Sequence, residues 1–209
     1  MLDATLEADR LTIRLLFAYS FLPQSEFSSG SRVWPRPTIG GFMSIAQSLL
    51  PEFNEEMANT RKVLERVPSD RWNWKPHDKS GTLGWLASHL GTIPGWYTMT
   101  LGTESLDYAP VDGPSYTPPK IENTQQLLAA FDKESAEARA ALSKASDADF
   151  QVNWSLLAGG KEIFKMPRIA CLRSMVMNHM IHHRAQLTVY LRLLNVPIPG
   201  LYGPSADES

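Results

Sequence analysis

Apolar positions recur every three or four residues in four segments of the chain, and this spacing predicts four amphipathic helices. The first segment begins at Ser44, and Ser44 and Gln47 have the spacing of a capping box. Its inner face is expected to carry Ile45, Leu49, Phe53, Met57, Thr60, Leu64 and Val67.

The second and third segments also begin after residues that are typical helix N-caps, Thr82 and Asn123. The inner face of the second carries Leu83, Leu86, Leu90, Ile93, Tyr97 and Leu101. The inner face of the third carries Leu127, Phe131, Ser135, Ala138 and Leu142. Pro94-Gly95 interrupts the second segment and predicts a kink there.

A small hairpin is predicted before the last helix, because Gly159-Gly160 lies between two apolar runs. Pro167 suits the first position of that helix, which is expected to run to about Asn195. A long proline-rich connection, residues 104–123, separates the second helix from the third. The pattern as a whole predicts an all-α four-helix bundle with a long crossover between helices 2 and 3.

Residues 1–42 do not follow this pattern. The stretch "SEFSSGSRVWPRPTIGG" is rich in serine, glycine and proline, a composition typical of loops or disorder. We therefore interpret residues 1–42 as a disordered or appended segment and residues 43–209 as the folded domain. A helix over residues 3–20 that docks on the domain is the alternative. If the first interpretation is right, deleting residues 1–42 leaves helicity and metal content unchanged.

Composition excludes several classes of function. The net charge is −2 and no basic run is present, which argues against a nucleic-acid surface. The apolar runs are shorter than the roughly 20 residues that span a bilayer. The residues before the first apolar run are acidic, unlike a secretory signal. The single cysteine, Cys171, cannot form an internal disulfide and fits a reducing compartment, so we expect a cytoplasmic protein.

Three of the five histidines lie within one five-residue window of the last helix. His179 and His183 are four residues apart and continue its apolar face, so both are expected to point inward. His182 lies about 60° from His179 on the other side of the helix, further from the centre of that face. His89 lies on the inner face of the second helix, whereas His77 lies in a polar loop and is expected to be solvated.

Inward histidines have two interpretations. A single one is commonly an ordinary core residue that hydrogen bonds to a carbonyl, and a chance pair at this spacing is frequent. Three on neighbouring helices, however, need three sets of partners when buried, and a divalent cation supplies them together. If His89, His179 and His183 bind one ion, their nearest ring nitrogens should lie within about twice a Zn–N bond of about 2.1 Å.

The segment "NHMIHHRAQLTVYLRLLNVPIPGLYGPSADE" resembles the C-terminal part of DinB-like (damage-inducible, YfiT-related) proteins. The stretches "LGWLASHLGTIPGWY" and "IFKMPR" resemble their second helix and the approach to their last one. The resemblance covers residues 43–208 and implies a four-helix bundle with a three-histidine divalent metal site, commonly in a homodimer. It assigns the ligand roles to His89, His179 and His183, with Arg184 directly after the last, and leaves His182 as a neighbour.

The resemblance implies two kinds of enzyme acting on a small molecule. One transfers a low-molecular-weight thiol, as in the related bacillithiol and mycothiol S-transferases, and the other is a metal-dependent hydrolase. Aspartate and glutamate are absent from the inner face near the histidines. Because thiol activation needs a general base less than hydrolysis does, this favours thiol transfer. A non-catalytic metal-binding stress-response module is the third interpretation, and three histidines do not distinguish Zn, Ni, Fe and Mn.

Five other residues have competing interpretations. Cys171 precedes His179 by two turns and is expected to be a buried, inert thiol. Arg184 could pair with a carboxylate or a substrate anion, or form a surface or interface salt bridge. Tyr202 could fold back over the bundle and pack there. Trp85 and Trp96 flank His89, and we favour core or dimer packing for them over a pocket wall.

Overall fold

The computed structural model describes residues 43–208, which form a mostly helical fold with a small three-stranded sheet. In chain order the helices are α1 (Ile45–Leu64), α2 (Leu83–Thr92), α3 (Gly95–Gly102), α4 (Thr124–Lys144), α5 (Asp147–Gln151), α6 (Arg168–Cys171) and α7 (His179–Leu193). A 3₁₀ turn, Ser69–Arg71, follows α1, and a π-helical segment, Leu172–Asn178, joins α6 to α7 without a break. Both interpretations of residues 1–42 lie outside the described residues.

Polar side chains at the predicted N-caps fix where three helices begin. Ser44 Oγ accepts from the backbone N–H of Gln47 at 3.2 Å, and Gln47 Oε1 accepts from the backbone N–H of Ser44 at 2.9 Å. Thr82 Oγ1 and Asn123 Oδ1 each accept from the N–H three residues later, at 3.1 and 2.9 Å. Each such cap stabilises its helix by about 1 kcal/mol, which explains why local sequence alone located these helix starts.

The helix is interrupted at Pro94, where a kink was predicted, although Ile93 and Pro94 both keep right-handed helical dihedrals. Pro94 has no N–H to continue the helical hydrogen bonds, and α3 restarts at Gly95. The break sets the direction of α3, whose second residue, Trp96, contacts two of the candidate histidines.

The three strands are β1 (Ser105–Asp107), β2 (Asn153–Ala158) and β3 (Lys161–Pro167), in that order across the sheet. The predicted hairpin joins β2 to β3, and Gly159 and Gly160 turn it with φ values of +60° and +74°. Glycine enters this left-handed region without steric cost. β1 pairs in parallel with β2 and lies in the crossover, where we predicted no strand. The all-α class is therefore wrong to that extent.

The helices share one apolar core. α4 packs against α1, α2 and α3, while α7 packs against α1 and α2. Fully buried side chains from these elements include Phe53, Leu64, Leu86, Leu90, Phe131, Leu142 and Leu187. Burying one leucine or phenylalanine contributes about 1.5–3 kcal/mol. This packing fixes α2 beside α7, the two helices that carry the candidate histidines.

The last helical run begins at Arg168 and ends at Leu193, two residues before the predicted end. We placed Pro167 at the first position of this helix. It is instead the last residue of β3 and lies directly before the helix. Asn195, two residues after the end of the run, has a φ of 56°. The π-helical segment was not predicted. None of the helices between residues 43 and 208 has the length and apolar character needed to cross a bilayer.

Candidate metal centre

The structure brings together the three histidines that the sequence singled out. His89 comes from α2, and His179 and His183 are the first and fifth residues of α7. His89 Nε2 lies 3.0 Å from His179 Nε2, and one ligand nitrogen from each of the three rings lies within 4.8 Å of the others. All three side chains are half-buried.

These distances suit a divalent cation. Ligand nitrogens of a tetrahedral site with bonds of about 2.1 Å lie about 3.4 Å apart. That separation falls between the 3.0 Å from His89 Nε2 to His179 Nε2 and the upper bound of 4.8 Å for all three pairs of nitrogens. The contact between His89 and His179 is also a hydrogen bond that pairs one nitrogen of each ring, as in an ordinary buried pair. Metal binding itself therefore stays a prediction.

A side chain that the sequence analysis missed orients His183. Gln186 Oε1 lies 2.7 Å from His183 Nδ1, and an amide oxygen can only accept, so Nδ1 carries the proton. The lone pair of Nε2 is then free for a cation. Imidazole ligands of metals almost always donate their other N–H to such a partner. The i, i+3 spacing of His183 and Gln186 was the available signal.

The environment keeps the three imidazoles neutral. Burial, and then the neighbouring His183 and His179, lower the pKa of His89 from 6.5 to about 4. Burial is also the main cause that lowers the pKa of His179 and of His183. Neutral imidazole is the form that binds metal, so little proton competition is expected at neutral pH.

Two tryptophans contact the cluster, in different ways. The Trp85 ring stacks on His89 at 5.3 Å between centroids, yet 57% of the residue is exposed. The Trp96 ring meets His89 and His179 edge-on, at 5.6 and 5.3 Å. Trp96 packs against the core, as we expected, and it also lines the cavity beside the histidines, so both interpretations hold for this residue.

The remaining two histidines lie where they were expected. His182 is exposed, and its ring centroid lies 5.1 Å from that of His183. His77 is exposed in the loop before α2, and its Nδ1 accepts from the backbone N–H of Lys79 at 3.1 Å. Neither belongs to the cluster of three.

Arg184 forms a buried ion pair rather than a surface one. Only 1% of Arg184 is exposed, and its Nη2 lies 2.6 Å from Glu56 Oε2. Its Nη1 donates to Thr60 Oγ1 at 3.2 Å, and the guanidinium also donates to Tyr202. The Tyr202 hydroxyl donates to the Glu56 carboxylate at 2.9 Å, so the tail folds back over α1 and α7 as expected. Because 69% of Tyr202 is exposed, hydrogen bonds rather than the expected packing hold it there. With Glu56 as its partner, Arg184 is not free for a substrate anion.

A cavity of about 440 Å³ opens beside the histidines. His89 and His179 form part of its wall, and the rest comes from α3, the crossover, the sheet and the π-helical segment. Cys171 also lines it; the thiol is buried, which raises its pKa and fits the inert role that we expected. Among the described residues, no aspartate, glutamate, lysine or arginine lines this cavity.

Comparisons with known proteins agree with this fold. The family model described as DinB family matches residues 43–209. The uncharacterized protein YrdA of Bacillus subtilis (strain 168) is 25% identical over 159 residues, which cover 76% of this chain and 89% of that protein.

Two solved structures are similar in fold. A DinB-like protein from Bacillus cereus ATCC 10987 has a TM-score of 0.58 at 23% identity and covers 78% of this chain and 100% of its own. A DinB-like protein from Bacillus subtilis, YjoA, has a TM-score of 0.55 at 16% identity and covers 78% of this chain and 99% of its own. The family model spans most of the sequence, and the chain therefore belongs to the DinB family.

Proposed function

We propose that this protein binds a divalent metal ion through His89, His179 and His183 and is a metal-dependent enzyme that transfers a low-molecular-weight thiol to a small organic substrate. One observation carries the proposal. Three neutral imidazoles converge, and two of them, His89 and His179, line an apolar cavity that no carboxylate lines in the described part of the chain.

The protein's own residues supply placement and protection from water. Gln186 Oε1 accepts from His183 Nδ1, which leaves Nε2 as the nitrogen available to a cation. Trp96 contacts His89 and His179 edge-on and lines the cavity beside them. A bound divalent ion supplies positive charge, which lowers the pKa of a thiol. In the transfer, the sulfur forms a bond to a substrate carbon, the leaving group departs with the bonding electrons, and the thiol proton passes to solvent.

The lack of a carboxylate separates this proposal from hydrolysis. A hydrolase commonly positions a general base within hydrogen-bond reach of the attacking water. The lining residues in the described part of the chain include no aspartate or glutamate, and the only imidazoles among them belong to the candidate ligands. Thiol transfer needs such a base less, because the thiol is far more acidic than water.

The test uses the full chain, stripped with a chelator and reloaded separately with Zn, Ni, Fe and Mn. Elemental analysis should give about one ion per chain. Turnover is then measured with 1-chloro-2,4-dinitrobenzene and a panel of bacterial thiols, and in parallel with p-nitrophenyl acetate without thiol. We expect metal-dependent turnover only when thiol is present. Ester hydrolysis without thiol would favour the hydrolase, and metal binding without turnover would favour the non-catalytic module.

We also propose two features that the family resemblance implies, a four-helix bundle and a homodimer. An independently folded domain over residues 43–209 and a cytoplasmic location likewise stay predictions.

A further inference from the structure

The cavity beside the histidines is too large to be a packing defect. Protein interiors contain few voids larger than a water molecule, and an unfilled volume costs stability. A volume of about 440 Å³ lies within the range of about 300–1,000 Å³ that is typical of small-molecule sites. It is too small for a macromolecule, so a small organic ligand is the occupant that the volume favours.

The sheet forms an apolar floor for this cavity. Leu106 of β1 pairs with Leu156 of β2, which pairs with Phe164 of β3, and all three line the cavity. They form one continuous row across the three strands. β1, the strand that the sequence did not reveal, therefore supplies part of the wall.

The floor is fixed in place before any ligand arrives. The Asp107 carboxylate accepts from the backbone N–H groups of Gly159 and Gly160 in the hairpin turn, at 3.0 and 2.6 Å. It also accepts from the N–H of Ala109 at 3.1 Å. These bonds tie the crossover to the hairpin, and a preformed wall lowers the entropy cost of binding.

Two of the polar groups in the wall, the Thr92 hydroxyl and the Trp154 indole N–H, are already paired within the protein. Thr92 Oγ1 donates to the carbonyls of Ser88 and His89, both at 3.1 Å. Trp154 Nε1 donates to Thr103 Oγ1 at 3.0 Å. A charged ligand would lose its water here without gaining a partner of opposite charge, which is costly. The wall therefore selects against charge.

Aromatic rings determine the shape that the wall accepts. Trp96 lies on the helical side, and Trp154 and Phe164 lie on the sheet side with ring centroids 6.1 Å apart. The exposed rings of Tyr108 and Tyr116 also line the cavity from the crossover. Such rings stack on flat apolar molecules or meet them edge-on, with a gain beyond simple burial.

We propose that the cavity binds a neutral, flat, apolar organic compound, with one polar or reactive atom facing His89 and His179. This names the substrate class of the proposed enzyme. It rests on the proposed function for the role of the ligand in turnover, but not for its binding. Binding needs only the cavity, so it is expected in metal-free protein as well.

Two fluorescent probes that differ by one charge test this directly. N-phenyl-1-naphthylamine is neutral, and 1-anilinonaphthalene-8-sulfonate carries the same rings with a sulfonate. The full chain, stripped of metal, should bind about one molecule of the neutral probe, and the sulfonate should bind at least about tenfold more weakly. Failure of the neutral probe to bind, or equal binding of both, would overturn the inference.

Variants locate the binding. Leu156→Trp fills the cavity and should abolish binding of the neutral probe. Ile163→Trp, on the neighbouring strand at a residue that is 54% exposed, is the matched control and should bind it normally. If Leu156→Trp does not fold, Met175→Trp fills the same cavity from the π-helical segment. Normal binding by a folded cavity-filling variant would overturn the inference.

The two proposals fail separately. Probe binding without metal-dependent turnover leaves this inference standing and removes the proposed enzyme. Thiol transfer without probe binding would remove this inference and leave the proposed enzyme standing.

Discussion

Removing His183 is the sharpest test of the candidate metal centre. Structural zinc sites with four ligands bind with an apparent free energy of about 10–16 kcal/mol, so one ligand corresponds to about 3 kcal/mol. We therefore expect His183→Ala to weaken metal binding by about 10²–10³-fold. The remaining pair, His89 and His179, is already 3.0 Å apart and can still hold an ion weakly.

Substituting two neighbours of His183 should weaken metal binding by smaller amounts or not at all. Gln186→Ala removes the acceptor that lies 2.7 Å from Nδ1 and frees the ring to rotate, which typically costs about 10–100-fold in affinity. His182→Ala removes an exposed imidazole outside the cluster and should leave metal affinity unchanged. The expected order of loss is therefore His183, then Gln186, then His182.

Competition with a chromogenic chelator measures all three affinities at one pH, with melting temperature as the control for folding. If His182→Ala lost its metal while His183→Ala kept it, α7 would present His182 rather than His183 to the ion. Equal affinities for all variants and the parent chain would remove the site, and the proposed function with it.

Three further predictions concern stability. Glu56→Ala leaves the buried Arg184 without its carboxylate, and urea denaturation should show a loss of about 3–5 kcal/mol in the free energy of unfolding. Gly84→Ala should cost about 1–3 kcal/mol in the same assay, because its Cβ would lie 2.2 Å from the Trp72 indole nitrogen. Gly102→Ala should cost nothing, because no atom of residues 43–208 beyond its neighbours along the helix lies within 4 Å of the added Cβ. The third concerns pH. Because the pKa of His89 is about 4 in the fold instead of 6.5, the unfolded chain binds more protons between these pH values. The melting temperature of metal-free protein should therefore fall as pH drops from 6.5 towards 4, and His89→Gln should make that fall shallower.

Local signals located the helices and the cluster of histidines. The caps at Ser44, Thr82 and Asn123 satisfy N–H groups within three residues along the chain, so sequence spacing alone reveals them. The convergence of His179 and His183 likewise follows from the geometry of one helix. We predicted that they lie close to His89 because the apolar faces of α2 and α7 both had to pack into the same core.

Features that depend on distant contacts were not predictable in the same way. β1 has only three residues, Ser105–Asp107, which is too short to show alternation, and its partner strand begins 46 residues after β1 ends, at Asn153. The cavity needs side chains from the crossover, the hairpin, four helices and the π-helical segment at once. The role of Trp96 as its wall could not be separated from core packing by periodicity, because both place the ring inward.

The π-helical segment at Leu172–Asn178 also governs which changes in chain length the last helix can accept. A π turn holds about one residue more than an α turn, since its hydrogen bonds run to i+5. A chain one residue shorter within this segment could run as ordinary α-helix and leave His179 and His183 in their present directions. A chain one residue longer would instead turn both imidazoles by about 100° away from His89. Homologues that keep all three histidines should therefore tolerate single deletions here, but not insertions.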